Sequence, residues 1–363
     1  MSRPLSIVIL GLSLSSSWGN GHATTYRALL RGLHAEGHQV LFLERDVPWY
    51  ADNRDLPDPD FSQLAYYRSL SDLERFKQAI RDADAVIIGS YVPEGTGVID
   101  RVAQMRPKLL CFYDIDTPVT LAALKRGAEE FLARRQIPLF DIYFSFSGGR
   151  VLDRLYNEFG ARRAEALYCS VDAETYAPTG EATRWDLGYL GTYSPDRQPM
   201  LERLLIEPAR RLPEQRFVVA GAQYPDDIDW PGNVERIAHL PPEAHASFYS
   251  SQRFTLNVTR SDMVAAGWSP SVRLFEAAAC AAPIISDRWE GIGEIFADGH
   301  SILLAEDSDT VVELLAEMPE ERRQAIGRAG QSRVLSRHTG TARAQGLVQV
   351  LRETTREAMA QAV

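Results

Sequence analysis

One carboxylate stands alone in a segment that otherwise suits close packing. The run 270–296 reads PSVRLFEAAACAAPIISDRWEGIGEIF. Its first part, 270–282, predicts a helix in which Glu276 is the one acidic residue. Arg273 precedes Glu276 by three residues, so both side chains lie on one helix face, where a surface ion pair is one possibility. The apolar neighbours instead indicate a buried helix, and charges are rarely buried without partners. We therefore expect Glu276 to serve a ligand, and a ribose diol suits a carboxylate that accepts from two hydroxyls.

More polar residues precede this helix. Asn257 and Arg260 follow the strand-like run FTLNVT, and Ser269 with Pro270 predicts an N-cap and a first helical residue. We expect Asn257, Arg260 and Arg273 to lie near the same ligand as the carboxylate.

An anion site is predicted earlier in the second half. The run 188–197, GYLGTYSPDR, gives a strand, a turn at Gly191 and then Arg197 at the start of a helix. The amides of a helix N-terminus together with a guanidinium suit a diphosphate. A solvated arginine on the helix surface is the alternative.

The first half opens with a strand and a long loop that ends in GNGH. The residues Gly19, Asn20 and Gly21 precede His22 at a helix start, where backbone amides favour an anion or a hydroxyl-rich ligand. His22 is either a functional group at a cleft or a residue that fills a turn. The loop lacks the G-x-G-x-x-G pattern of dinucleotide-binding folds, which argues against a dehydrogenase that would hold a ribose on Glu44.

A pair of carboxylates follows a later strand. In FYDIDTP, Asp114 and Asp116 stand one residue apart. Such a pair can share a divalent cation, or one member can act as a general base, and an Asx-type turn is the structural alternative. No third ligand is evident, so we expect no metal site.

Short apolar runs alternate with helical patterns through the whole chain, which predicts βαβ units and parallel sheets. The predicted strands are 6–11, 39–44, 85–90, 109–114 and 141–146, then 186–191, 216–221, 234–240, 254–259, 282–287 and 301–305.

The pattern predicts an α/β protein with two Rossmann-like, doubly wound domains that face a cleft, where such sheets bind ligands. We place an N-terminal domain at 1–170, a linker at 171–184, a second domain at 185–337 and a C-terminal helix at 338–363 that packs back on the first domain.

The net charge and the cysteine content limit the partners and the compartment that we expect for the protein. The chain has 363 residues and a net charge of −10, which argues against nonspecific binding to nucleic acid or anionic membranes. Its three cysteines, Cys111, Cys169 and Cys280, are far apart and indicate neither a disulfide framework nor a zinc site, so a reducing cytoplasm is expected. No run is long and apolar enough to predict an integral membrane segment.

The segment 271–315 resembles the nucleotide-sugar-binding segment of GT-B glycosyltransferases, and its closest branch looks like the CgeB-like, spore-maturation-type enzymes. The resemblance implies that Glu276 hydrogen-bonds the donor ribose. It also implies that backbone amides of Gly291, Ile292 and Gly293 approach the diphosphate or the transferred sugar.

The resemblance extends to the first turn of the donor domain. Related retaining enzymes often have an Arg and a Lys on phosphate there, and Thr192 and Arg197 occupy these places. His239 and Leu240 stand where the nucleotide base commonly stacks or meets backbone groups. Trp268 departs from the pattern, because retaining relatives with a paired Glu motif have a glutamate at this position.

The resemblance implies a glycosyltransferase of the hexosyltransferase type, without cofactor or metal, that moves a sugar from a UDP- or dTDP-sugar to a hydroxyl of a carbohydrate, glycolipid or small molecule. An inverting reaction needs a base, for which His22, Asp114 and Asp116 are the candidates, and a retaining reaction does not. A noncatalytic nucleotide-sugar-binding protein and a nucleotide-sugar epimerase are the alternatives.

Overall fold

The computed structural model describes residues 3–18 and 21–361. The chain divides into two compact units, the first formed by Met1–Ser170 with Thr339–Val363 and the second by Val171–His338. Among the described residues, no helix combines the length and the apolar character that a membrane span requires.

The first unit is built on a parallel sheet. Its strands are β1 (Ser6–Gly11), β2 (Gln39–Arg45), β3 (Gln63–Tyr67), β4 (Ala85–Gly89), β5 (Leu110–Asp114), β6 (Ile142–Ser145) and β7 (Ala164–Ala166). They lie in the order β3-β2-β1-β4-β5-β6-β7, and all neighbours are parallel. Every residue of β4, β5 and β6 is buried, because helices cover both faces of the sheet.

Short helices connect these strands. They are α1 (His22–Ala35), α2 (Pro48–Ala51), α3 (Lys77–Asp82), α4 (Gly95–Gln104), α5 (Thr117–Lys125) and α6 (Arg150–Asn157), with 3₁₀ turns at Leu70–Phe76 and Arg134–Leu139. Buried residues of α1, among them Leu29, Leu30 and Leu33, pack into the apolar core of the unit.

The second unit repeats this architecture. Its strands are β8 (Trp185–Leu190), β9 (Phe217–Ala220), β10 (Val234–Ile237), β11 (Gln252–Asn257), β12 (Ile284–Ser286) and β13 (Leu303–Leu304). They form a parallel sheet in the order β10-β9-β8-β11-β12-β13.

The helices of the second unit begin with α7 (Gln198–Leu201) and α8 (Glu207–Arg211), which a π-helical turn at Glu202–Ile206 joins into one rod. The others are α9 (His245–Ser250), α10 (Ser261–Ala266), α11 (Val272–Ala279), α12 (Ile292–Ile295), α13 (Ser308–Glu317) and α14 (Glu320–Arg337), with a 3₁₀ turn at Pro242–Ala244.

The last helix, α15 (Gly340–Gln361), belongs to the first unit. It packs along α1, and Leu347 and Leu351 enter the core of that unit. The two helices approach most closely at Gly32 and Gly340, where a Cβ atom on Gly340 would meet the backbone carbonyl of Ala28. Glycine at both positions therefore allows close backbone contact.

In each unit, the strand order reverses beside the first strand. The reversal falls between β1 and β4 in the first sheet and between β8 and β11 in the second. Open α/β sheets bind ligands at the carboxyl ends of the strands at such points. We therefore expect functional side chains at these two edges.

Candidate functional site

At the carboxyl end of β1, the loop is held by a buried carboxylate. Glu44 accepts hydrogen bonds from the backbone N–H groups of Leu14 and Ser15, at 2.7 and 2.9 Å, and from the Ser15 hydroxyl at 2.6 Å. Both of its oxygens are thus engaged with the loop. Glu44 shapes the loop and is fully buried, so it does not face a dinucleotide ribose.

The loop leads to His22, which begins α1. The ring is buried and stands edge-on to Tyr91, with 5.3 Å between ring centroids. Its Nε2 atom lies 3.6 Å from Oδ2 of Asp116, whose side chain is about half exposed. Its Nδ1 atom has no hydrogen-bond partner among the described residues. The structure thus brings together two of the three residues predicted as a base.

The third candidate, Asp114, has a different environment. It is fully buried and accepts from the Tyr143 hydroxyl at 2.6 Å, the Thr120 hydroxyl at 2.8 Å and the Asp116 N–H at 3.3 Å. Burial raises the pKa of Asp114 to about 6. The hydrogen bonds of Asp114 link β5 to β6 and α5. Because the carboxylate has no accessible surface, an acceptor substrate cannot contact it.

The predicted acceptor-side loop is described only in part. Gly19 and Asn20 lie outside the described residues. Gly21 directly precedes α1, and its carbonyl accepts from the Thr25 N–H at 3.3 Å. A Cβ atom on Gly21 would meet no atom within 4 Å, so packing does not require glycine there.

In the second unit, three arginines gather near the carboxyl ends of β8 and β11. Arg197 is buried, its Nη2 atom donates to the Thr192 carbonyl at 2.5 Å, and its Nε atom is buried without a partner. Arg273 donates to the Ser271 hydroxyl at 3.1 Å. Among the described residues, neither these two nor the exposed Arg260 forms an ion pair with a carboxylate.

The charges of these arginines act on one another. Burial lowers the pKa of Arg197, and the positive charges of Arg273 and Arg260 lower it further. A buried, uncompensated cation is costly unless an anion binds to it. We therefore expect an anion site at the cluster of Arg197, Arg260 and Arg273, with exposed Thr192 and buried Gly191 at its edge.

Glu276 is buried in α11, as the sequence predicts. Its Oε2 atom accepts from the Tyr249 hydroxyl at 3.3 Å. The Tyr176 hydroxyl lies near the same carboxylate, and burial and then the charge of Glu276 raise the pKa of Tyr176. Glu276 forms no ion pair with Arg273, so the simple surface ion pair is excluded. The helix is capped by the Ser271 hydroxyl, which accepts from the Arg273 N–H, and not by Ser269.

A buried polar network follows β11 and β12. Asn257 donates to the hydroxyls of Thr259 and Ser286, at 3.2 and 3.0 Å, and its Oδ1 atom has no described partner. Asp287 accepts from the Thr259 N–H and hydroxyl, at 3.1 and 2.9 Å. Burial raises the pKa of Asp287 to about 6. Sequence reasoning missed Asp287, although a carboxylate directly after a buried parallel strand was a usable signal.

The glycine loop before α12 packs under an indole ring. Gly291 has a φ of +92°, and a Cβ atom there would run into the side chain of Trp268. Trp268 itself has a φ of +44°, and its Nε1 atom donates to Glu294 at 2.8 Å. Ile292 is buried and Gly293 is exposed. The indole thus packs against this loop and limits the space around Gly291.

The predicted base-binding residues lie beyond β10. His239 is exposed, and the Leu240 carbonyl lies 3.4 Å from Nε2 of His245. Nearby, the Arg236 guanidinium stacks on the rings of Tyr224 and Trp230, 4.1 and 4.5 Å from their centroids. The sequence did not single out these aromatic residues.

One pH effect follows from the network around Asp287. The folded state raises the pKa of Asp287 to about 6, so this group's contribution to stability is full below about pH 4 and is lost as the pH rises through 6. Asp287→Asn cannot ionise. Relative to wild type, we expect its unfolding free energy to gain about 3 kcal/mol between about pH 4 and pH 7. Urea unfolding of both proteins measures the difference, and parallel pH profiles would contradict it.

Among residues 3–18 and 21–361, no group of three or more His, Cys, Asp or Glu side chains could hold a metal ion. The cluster of Arg197, Arg260 and Arg273 offers positive charge, and Glu276 offers a hydrogen-bond acceptor. Together they can bind an anionic ligand that also carries hydroxyls.

One family model matches part of the second half of the chain. A family model described as "Glycosyl transferase-like" matches residues 197–349, a segment that includes the three arginines and Glu276. No curated protein matches the sequence. The narrower CgeB-like resemblance stays a prediction.

Solved structures match nearly the whole chain. Anabaena HepE in complex with UDP has a TM-score of 0.69 at 13% identity and covers 96% of this chain and 100% of its own. Sucrose-phosphate synthase from Thermosynechococcus elongatus has a TM-score of 0.66 at 15% identity, with 97% and 99% covered. A trehalose-6-phosphate protein from E. coli, bound with UDP-2-fluoro glucose, has a TM-score of 0.66 at 11% identity, with 95% and 98% covered. The predicted fold class, two α/β domains of the GT-B type, is thereby confirmed.

Proposed function

We propose that the protein is a glycosyltransferase that moves a hexose from a nucleoside-diphosphate sugar to a hydroxyl acceptor without a metal ion. The observation that carries this proposal is the cluster of Arg197, Arg260 and Arg273, which has no carboxylate among the described residues to neutralise it. Buried Glu276 in the same unit adds an acceptor for hydroxyl groups. A diphosphate joined to a ribose has both of the complementary features.

The roles divide among the residues of the second unit. The three arginines bind the diphosphate, with the backbone amides of the Gly291–Gly293 loop beside the transferred sugar. Glu276 accepts from the ribose hydroxyls, and His239 and Leu240 border the base. Because the solved relative HepE binds UDP and UDP-glucose, we take a uridine or thymidine nucleotide as the donor.

The chemistry is a displacement at the anomeric carbon. The acceptor oxygen forms a bond to that carbon, while the bond to the diphosphate oxygen breaks and its electron pair leaves with the diphosphate. The arginines stabilise the charge that develops there. The acceptor proton passes to His22, whose cationic form Asp116 stabilises from 3.6 Å. The acceptor is a carbohydrate, a glycolipid or a small molecule, bound by the first unit.

A nucleotide panel tests the proposal. We expect UDP or dTDP to raise the unfolding temperature, because a ligand at about 100 times its Kd stabilises by about 2.7 kcal/mol. ADP and GDP serve as matched diphosphates with other bases. If no nucleoside diphosphate or sugar nucleotide stabilises the protein, the proposal fails.

Product analysis then separates an enzyme from its alternatives. A transferase releases free nucleoside diphosphate from the donor as the acceptor is glycosylated. An epimerase changes the sugar and leaves the diphosphate bond intact, and a binding protein leaves the donor unchanged. Either of these last two results would overturn the transferase assignment.

A further inference from the structure

A cavity lies in the first unit, beside the last helix of the chain. It has a volume of about 680 Å³ and is lined by residues that directly precede three strands, namely Leu5 before β1, Asp84 before β4 and Leu109 before β5. Helix α15 closes one side of it. Because it lies at the amino ends of the strands, it is at the opposite edge of the sheet from His22 and Asp116.

The cavity is mainly apolar inside. Leu5, Leu109 and Leu351 form its floor, each at most 8% exposed, and Ala358 and Met359 of α15 stand at its mouth. Met359 is 68% exposed, which is high for a large apolar side chain. None of the described residues that line the cavity is aromatic, so they offer a nucleotide base no ring to stack on. The volume is in the range of small-molecule sites, roughly 300–1,000 Å³.

The rim of this cavity is basic. Among the described residues, the rim has four cationic side chains and one carboxylate, that of Asp84. The cations are Arg3, Lys108, Arg352 and Arg356.

Asp84 is already paired, at 2.7 Å from Arg3 and 3.8 Å from Lys108. Arg352 donates to the Arg3 carbonyl at 2.8 Å, and among the described residues neither it nor Arg356 forms an ion pair with a carboxylate. The rim thus keeps an excess of positive charge in a chain whose net charge is −10.

We propose that this cavity binds a single-chain anionic amphiphile, with its carboxylate or phosphate head on Arg352, Arg356 and Lys108 and its alkyl chain over the leucine floor. The apolar interior excludes a free phosphate as the preferred ligand, because a bare anion would leave that surface unfilled. The leucine floor is almost entirely buried, whereas a membrane-docking site is marked by a large exposed apolar patch. The ligand is therefore one molecule taken into the cavity, not a membrane surface.

The test uses dodecanoate and dodecyl phosphate, titrated into the full-length protein by calorimetry. Lys108→Glu/Arg356→Glu reverses two exposed rim charges, and Ala358→Trp places a large side chain at the mouth. Arg328→Glu, an exposed arginine of α14 without an ion pair, is the matched control. We expect saturable binding to wild type and to the control, a loss of tenfold or more in the charge variant and no binding to the Trp variant.

Each of the following results would overturn the proposal: equal affinity of all four proteins, equal affinity for the neutral dodecyl maltoside, or binding to vesicles of phosphatidylglycerol with none to monomeric dodecanoate. Inorganic phosphate that binds as well as dodecyl phosphate would also contradict it. Nucleotide binding by the second unit is measured separately, so failure of one proposal leaves the other standing.

Discussion

His22→Ala is expected to lower kcat for sugar transfer by about 10²–10⁴-fold, the usual contribution of a positioned base. The reason is the pair that His22 forms with Asp116 at 3.6 Å, which stabilises the imidazolium after proton transfer. The affinity for the donor nucleotide should stay unchanged, because the anion site belongs to the second unit. Steady-state release of nucleoside diphosphate from the best-binding sugar nucleotide measures kcat.

The matched control for this variant is His34→Ala, which removes an exposed histidine from the same helix. It should keep wild-type kcat. A loss below about tenfold in His22→Ala would contradict the base, and it would favour a retaining reaction in which the phosphate contacts alone stabilise the leaving group.

Arg197→Gln is expected to weaken nucleoside diphosphate binding by about 100-fold, or about 2.7 kcal/mol. Arg197 is the most buried of the three arginines, and no carboxylate among the described residues neutralises its charge, so the proposed ligand phosphate would do so. The same burial is unfavourable in the free protein, where Arg260 and Arg273 repel it. We therefore expect the variant without ligand to unfold at the wild-type temperature or above. Calorimetric titration and thermal unfolding measure the two effects.

Weaker nucleotide binding without a loss of stability distinguishes a binding role of Arg197 from a structural one. If Arg197 were only structural, Arg197→Gln would lower the unfolding temperature of the protein without ligand. A lower unfolding temperature together with unchanged nucleotide affinity would contradict the proposed anion site. Arg328→Gln, on α14 of the same unit, removes an exposed charge and should change neither quantity.

Much of the fold is predictable from continuous apolar runs. The run at 6–11 matches β1, and those at 39–44 and 109–114 match β2 and β5 to within one residue. These strands are buried on both faces, so the apolar pattern carries the whole signal.

The edges of the first sheet are less visible in the sequence. β3 (Gln63–Tyr67) is mostly half-buried, and β7 (Ala164–Ala166) has three residues, none fully buried. β3 has only the short run LAYY and β7 has none, because an edge strand packs against fewer neighbours. Their pairing depends on β2 and β6, which local sequence does not reveal.

The candidate site was predictable where a residue type conflicts with its neighbours. Glu276 among alanines is such a case, and it is buried as expected. Asp114 and Asp116 look alike in the sequence, yet one is fully buried by Tyr143 and Thr120 and the other reaches His22. Only the tertiary structure separates two such carboxylates.

The most direct test of the donor site compares UDP with 2′,3′-dideoxyuridine diphosphate on wild type and on Glu276→Ala. The two ligands differ only in the ribose hydroxyls that Glu276 is proposed to accept from. We expect wild type to bind UDP about tenfold or more tightly than the dideoxy analogue, because a charge-assisted hydrogen bond contributes that much affinity. Glu276→Ala should bind both ligands alike. If wild type and variant show the same preference for UDP, Glu276 does not bind the ribose, and the proposed donor site is wrong.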